Sequence, residues 1–183
     1  MKIPAITFSG IVYRAHHPMW SYQPLSGEGA KKHGGRFNRP GNPALYTSLD
    51  PTTAWMEAQQ GLPFKPQPMM LVAYQLDCAD LVDVTQPKRL NELKLTKADL
   101  ACAWEDLASQ NQEPPTWVMA DKLGEMGFVG VIVPSFAPGC KQENRNLVLW
   151  EWSDTFPHRI SVIDDLGRLP TSGKSWESNT KTE

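Results

Sequence analysis

The sequence is poor in the residues that build metal sites, disulfide frameworks and membrane spans. It has three cysteines, Cys78, Cys102 and Cys140, an odd number with no CxxC spacing. That excludes a disulfide scaffold and a zinc ribbon, and the thiols read as reduced and packed. Four histidines (His16, His17, His33, His158) form no ligand spacing, so no metal is expected. Net charge is −2, and the pair Lys31-Lys32 is too short to count as a basic patch. Nothing electrostatic therefore favours direct nucleic-acid binding. The longest apolar run, LVAYQLDCADLVDV, is broken by charge, which excludes a membrane helix. MKIPAITFSG lacks the apolar core of a signal peptide, so a cytoplasmic location is expected.

What is present is a globular balance, 40% hydrophobic and 21% charged, sufficient for one domain with a genuine core. SGIVYRA (9–15), PALYTS (43–48), MMLVAYQLDC and then LVDVT read as strands. FVGVIVPS (128–135) is almost wholly apolar, as a central strand would be, and NLVLWEW (146–152) and RISVIDD (159–165) complete the set. Asp50-Pro51 starts a helix over TTAWMEAQQ, with Gly61 as its C-terminal cap. Residues 88–127 read as helical, with Thr116 capping the last segment and Gly127 ending it. Strands outnumber helices and interleave with them irregularly. The expected fold class is α+β, a single domain on a mixed or antiparallel twisted sheet over residues 1–166, with a polar tail at 167–183 that frays.

One stretch makes unusual demands. HGGRFNRPGNPALYTS (33–48) sets Gly34, Gly35, Pro40 and Gly41 around two arginines and then enters a strand. Glycine lets a backbone take positive φ or approach something closely, and arginine carries a planar charged fork suited to phosphate or carboxylate. Other polar residues fall at strand ends, where functional groups often stand: Arg14, Tyr46, Ser48 and Ser135. Glu57 shares a helix face with the small residues Ala54, Ala58 and Gly61, so a ligand could approach its carboxylate closely. Each of these has an ordinary reading as a surface ion pair, a strand residue or a loop tie.

Taken together they form a pattern. YRA at 13–15, GGRFN at 34–38, LYTS at 45–48, Glu57 in AWMEA, Ser135 in VPSF and NLVLW at 146–150 occur in order. Over residues 10–152 the sequence resembles the RES-domain family, the toxin components of toxin–antitoxin pairs. The resemblance implies a fold similar to the NAD-dependent ADP-ribosyltransferase toxins, with NAD⁺ in a cleft of a split sheet. Members destroy NAD⁺ by hydrolysis or phosphorolysis, and at least one branch ADP-ribosylates a protein. Carried over by position, Arg36, Tyr46 and Glu57 are the implied catalytic residues, with Arg14, Ser48, Ser135 and Asn146 as further NAD⁺-binding positions. A co-produced Xre-type antitoxin with a helix-turn-helix region is implied as partner, and DNA binding would belong to it.

The chemistry gives each residue type a reason. Nicotinamide leaves C1′ of ribose as a neutral group, so the sugar becomes positively charged and no acid is needed to expel the base. Glu57 would stabilise that charge, Arg36 and then Arg14 would hold the pyrophosphate, and Tyr46 would offer a stacking ring. Ser135 would offer a hydroxyl to phosphate or ribose. Water, phosphate and a protein side chain can all attack the same carbon, so a protein ADP-ribosyltransferase is the alternative. A catalytically silent binding module is a third reading, and a carboxylate at position 57 argues against it.

Overall fold

The computed structural model describes residues 3–60 and 67–174. In chain order they form β1 (Ile6–His16), a 3-10 turn (Pro18–Trp20), α1 (Glu28–His33), β2 (Leu45–Ser48), α2 (Pro51–Gln59) and β3 (Met70–Asp83). Four short helices follow, α3 (Pro87–Leu93), α4 (Lys97–Leu100), α5 (Trp104–Ser109) and α6 (Pro115–Glu125). The chain then runs through β4 (Gly130–Pro134), β5 (Arg145–Leu149) and β6 (His158–Val162). Among the described residues no helix is long and apolar enough to cross a membrane.

The sheet is mixed, and its pairing is uneven in a way that makes the cleft. β1 pairs antiparallel with β3 from Ile6↔Leu81 to His16↔Met70, and β6 adds to β3. β2, β5 and β4 form a second antiparallel group. The two groups join where β3 runs parallel to β4 at Leu81–Asp83, and again where β1 meets β2 at the single pair Tyr13↔Ser48. Beyond that pair β1 and β2 part, so the sheet is split there. α2 starts just past the end of β2 and packs against β1 beside the split.

Alternation along the strands buries both faces. Val131, Val133 and Val148 join Met119 and Leu123 of α6 in one cluster, while Ile132, Leu147 and Leu149 turn to a second with Val12, Tyr74 and Leu76. Neighbouring residues serve opposite faces because the strand period is two. Leu169 also packs against the second cluster, and its N–H donates to the Asp164 carboxylate at 2.9 Å.

Three sequence expectations are corrected. MMLVAYQLDC and LVDVT are one strand, β3; the break is a local irregularity at Asp80 (φ 56) that shifts the register opposite Ile6 and Phe8. An extra residue in one strand changes which side chains face inward without ending the ladder. The stretch 88–127 is helical only in pieces, four short helices, with Lys94 (φ 58) and Asn111 (φ 56) reversing the chain after α3 and α5. Thr116 does not cap α6. Pro114 is the N-cap and Pro115 the first helical residue, so the proline's preset φ decides the start, and Thr116 is buried one position inside. Asp50 does cap α2, accepting from Thr53 N–H at 2.8 Å, whereas Gly61 lies outside the described residues.

Candidate active site

The split between β1 and β2 opens into a cleft with a volume of about 440 Å³, bounded by Arg14, Arg36, Tyr46, Glu57 and Asn146. A further volume of about 290 Å³ runs from it past Ser48, Ala54 and Ala58. Six of the seven residues expected to form a site therefore face one continuous space. The seventh, Ser135, stands behind Glu57.

Glu57 is held by side chains from β5, from the segment after β4 and from the end of its own helix. Its Oε1 accepts from Ser135 Oγ at 2.6 Å and from Asn146 Nδ2 at 2.5 Å. Asn146 is itself oriented, because Ser48 Oγ donates to its Oδ1 at 2.7 Å. Gln60 Nε2 donates to the other carboxylate oxygen. Ser48 and Asn146 are register partners on adjacent strands, so this relay follows from the sheet pairing itself. Donors to a charged carboxylate are short and strong, and here three of them orient Glu57. The hydroxyls of Ser48 and Ser135 are thus engaged in positioning the carboxylate. Cys140 Sγ lies 3.0 Å from the Ser135 hydroxyl, a neighbour that the sequence reading did not single out.

The opposite wall is the Gly34–Asn42 loop. Gly34 takes φ 75, and a Cβ on Gly35 would come within 2.5 Å of the Tyr46 hydroxyl and 2.8 Å of Asn38 Oδ1. The close approach that glycine permits is thus to Tyr46. Tyr46 donates to Asn38 Oδ1 at 2.7 Å and accepts from Phe37 N–H at 2.9 Å. Burial pushes its ionisation well above that of a free tyrosine, and the Phe37 N–H and Arg36 oppose this only partly. The phenol therefore stays neutral and serves as a fixed ring. Asn38 Nδ2 reaches the carbonyls of Ala30 (2.9 Å) and Asn42 (2.9 Å), and the indoles of Trp117 and Trp150 donate to Gly35 O and Phe37 O, each at 2.8 Å.

Both arginines in the cleft are fastened along one edge. Arg36 Nη1 donates to Leu100 O at 3.3 Å and to Cys102 O, and its guanidinium lies 5.0 Å from the Phe136 ring centroid. Arg14 Nη1 donates to Pro24 O at 3.2 Å and Ser26 O at 3.0 Å. Burial lowers Arg14 from its ordinary value, with Tyr74 opposing, but a guanidinium remains charged throughout the usual pH range. The third arginine nearby, Arg39, belongs to the scaffold: it pairs with Asp121 at 2.6 Å and with Glu113. Asn38, Gln60, Phe136 and Cys140 are the residues sequence reasoning left unassigned. Asn38 and Phe136 carried a signal, as the last residues of GGRFN and VPSF.

The arrangement is a hydrogen-bonded carboxylate in a cleft that two fastened arginines and an aromatic ring also line, suited to an anionic ligand. Among the described residues no group of three His, Cys, Asp or Glu side chains is placed to hold a metal ion.

A chain of the M. tuberculosis MbcT–MbcA toxin–antitoxin complex has a similar fold, with a TM-score of 0.61 and 21% identity over 95% of this chain and 90% of that one. No curated protein matches the sequence. The RES domain profile matches residues 11–172, which takes in every cleft residue described above, and the chain belongs to the RES domain family.

Proposed function

We propose that the protein cleaves the nicotinamide–ribose bond of NAD⁺ and acts as the toxin of a toxin–antitoxin pair, depleting NAD⁺ in the cytoplasm. The observation that carries this is the fastening of Glu57 by Ser135 and Asn146 in a cleft flanked by Arg14 and Arg36. The C1′–N bond breaks heterolytically, its electron pair passing to the nicotinamide ring nitrogen, which neutralises that ring. The ribose cation is stabilised by the Glu57 carboxylate, and water or phosphate then bonds to C1′ and loses a proton. Arg36 and Arg14 have guanidinium N–H groups beyond those on the main-chain carbonyls, and these would bind the pyrophosphate. Preorganisation by Ser135 and Asn146 favours the reaction because the carboxylate need not reorient as charge develops.

Incubating the protein with NAD⁺, with and without phosphate, and identifying products by mass spectrometry tests this. Free nicotinamide with ADP-ribose signals hydrolysis, and with ADP-ribose 1″-phosphate signals phosphorolysis. ADP-ribose on an added protein would favour a protein-modifying transferase. Intact NAD⁺ in every arm overturns the reading.

Restraint of such an activity calls for a partner, and the cleft suits occlusion by an antitoxin of the Xre type. An acidic side chain or terminal carboxylate entering it would pair with Arg14 and Arg36. The partner and NAD⁺ are then expected to compete in a titration. NAD⁺ binding undiminished in the complex would exclude occlusion.

A further inference from the structure

Arg14 owes its orientation to a segment built only of turns, residues 21–27. Its Nη1 donates to Pro24 O and Ser26 O, and Tyr74 Oη donates to Pro24 O at 2.9 Å. Tyr74 pairs in the sheet with Val12, two residues from Arg14, so both side chains leave one face and meet at one carbonyl. That fills both lone pairs of Pro24 O. The segment's own bonds are local, Gln23 N–H to Trp20 O at 3.0 Å and Ser26 N–H to Gln23 O at 2.9 Å. What presses it into place comes from the far end of the chain. After β6, Asp164 accepts from the N–H groups of Arg168 at 2.7 Å and Leu169 at 2.9 Å, and Gly167 takes φ 60, which turns the chain back. Leu169 then packs against the second core cluster, as Leu25 does. Gly173 lies against the Tyr22 ring, where a Cβ would come within 2.9 Å of Cε1. Trp152 lies equally close to Gly27, where a Cβ would come within 2.6 Å of the indole. The two grips, at Tyr22 and at Gly27, flank the carbonyls that hold Arg14.

We propose that residues 164–173 form a strap that positions Arg14 for anion binding, acting through Tyr22 and the carbonyls of Pro24 and Ser26. The inference rests on the reading of Arg14 as a pyrophosphate ligand. A free arginine side chain has many rotamers, and a ligand that must order it binds more weakly. Two carbonyls at fixed positions order the guanidinium before the ligand arrives, but only while their own segment is held. Glu57 is fastened from other parts of the chain, by Ser135, Asn146 and Gln60. Loosening the strap therefore weakens anion binding and leaves the step at Glu57 intact. Asp164 and Leu169 are positioning residues, and neither lines the cleft.

The test places Asp164→Ala and Leu169→Ala in the wild-type protein and in Arg14→Ala. Each is expected to raise the KM for NAD⁺ about threefold to tenfold, with kcat changed by less than about twofold. In the Arg14→Ala background neither should raise KM further, because the residue they act through is gone. Additive effects on KM, or a fall in kcat without a rise in KM, would show a general loss of structure and overturn the assignment. Hydrogen exchange reads the clamp directly. The Gln23 and Ser26 amides should exchange faster in both strap variants, while the amides of β5 keep their protection. Calorimetry with inorganic pyrophosphate needs no turnover, and the strap variants should bind it several-fold more weakly than the wild type. With that result and NAD⁺ left intact, the activity reading alone falls and the strap stands. Equal pyrophosphate binding by wild type and variants, no binding by the wild type, or unchanged exchange at Gln23 and Ser26 overturns the strap.

Discussion

The two walls of the cleft are built on opposite plans. On the Glu57 side, polar side chains bond to one another, and the chain of bonds from Ser48 through Asn146 ends on a carboxylate. On the loop side, the Tyr46–Asn38 pair and Arg39 aside, they bond to main chain: Arg36 to the carbonyls of Leu100 and Cys102, Trp117 to that of Gly35, Trp150 to that of Phe37. Side-chain relays set the direction of one group, whereas bonds to backbone set the shape of a surface. The first wall orients one carboxylate and the second holds a loop in place, which suits the first to the proposed reaction. Substitutions should therefore separate, affecting rate on one side and stability or binding on the other.

The largest expected effect is at Glu57. Glu57→Gln keeps the shape but removes the negative charge, and turnover of NAD⁺ should fall by hundreds or more, about 3–4 kcal/mol of transition-state stabilisation. Thermal unfolding should be nearly unchanged. Turnover near that of the wild type would remove Glu57 from the mechanism and erase the contrast between the walls.

Gly35→Ala probes the other wall. A methyl group 2.5 Å from the Tyr46 hydroxyl forces the loop outward, so urea unfolding should show a loss of about 1–3 kcal/mol. Unchanged stability would mean that the loop is not held against Tyr46 as described.

Arg36 belongs to both plans and sharpens the comparison. Arg36→Ala should raise the KM for NAD⁺ about tenfold or more, since a charge-assisted bond is worth roughly 1.5–3 kcal/mol. Arg36→Lys should restore part of this, because a compact ammonium cannot reproduce the planar fork of a guanidinium. Full rescue by lysine would show that only the charge matters.

The smallest effect is in the alkaline limb of stability. Burial raises Tyr46 above the ordinary 10.0 and pushes Tyr74 up to about 12. Below pH 10 the tyrosines are protonated in both folded and unfolded chains, so their contribution is whole. Above it the unfolded chain releases protons first, and stability falls as pH climbs through the raised values. Tyr46→Phe or Tyr74→Phe should each flatten that decline in denaturation curves between pH 9 and roughly 11. An unaltered slope in both variants would show that neither hydroxyl is buried in solution.

Several parts of the site were legible along the chain. Asp50-Pro51 announced α2 because a cap and a preset φ act within one turn. Tyr46, Glu57 and Arg36 were visible as a spaced pattern, and the cleft gathers all three. The role of Ser135 was not legible: a serine after an apolar strand looks the same whether it meets a ligand or a carboxylate. Cys140 was equally mute, since a thiol does not announce its partner. The single strand β3 was read as two because an irregularity such as that at Asp80 interrupts alternation just as a turn would.

By itself the sequence determined what acts over a few residues: strand alternation, the start of α2, and the residue types available to a cleft. The meeting of those residues was decided only by the tertiary structure. Glu57 finds Ser135 and Asn146 across 78 and 89 residues, and Arg36 finds its carbonyls across 64 and 66. No local preference spans such distances. They are closed by burying both faces of one sheet, which sets the register that pairs Ser48 with Asn146. The same closure leaves β1 and β2 joined at one pair, and the gap beyond that pair is the cleft.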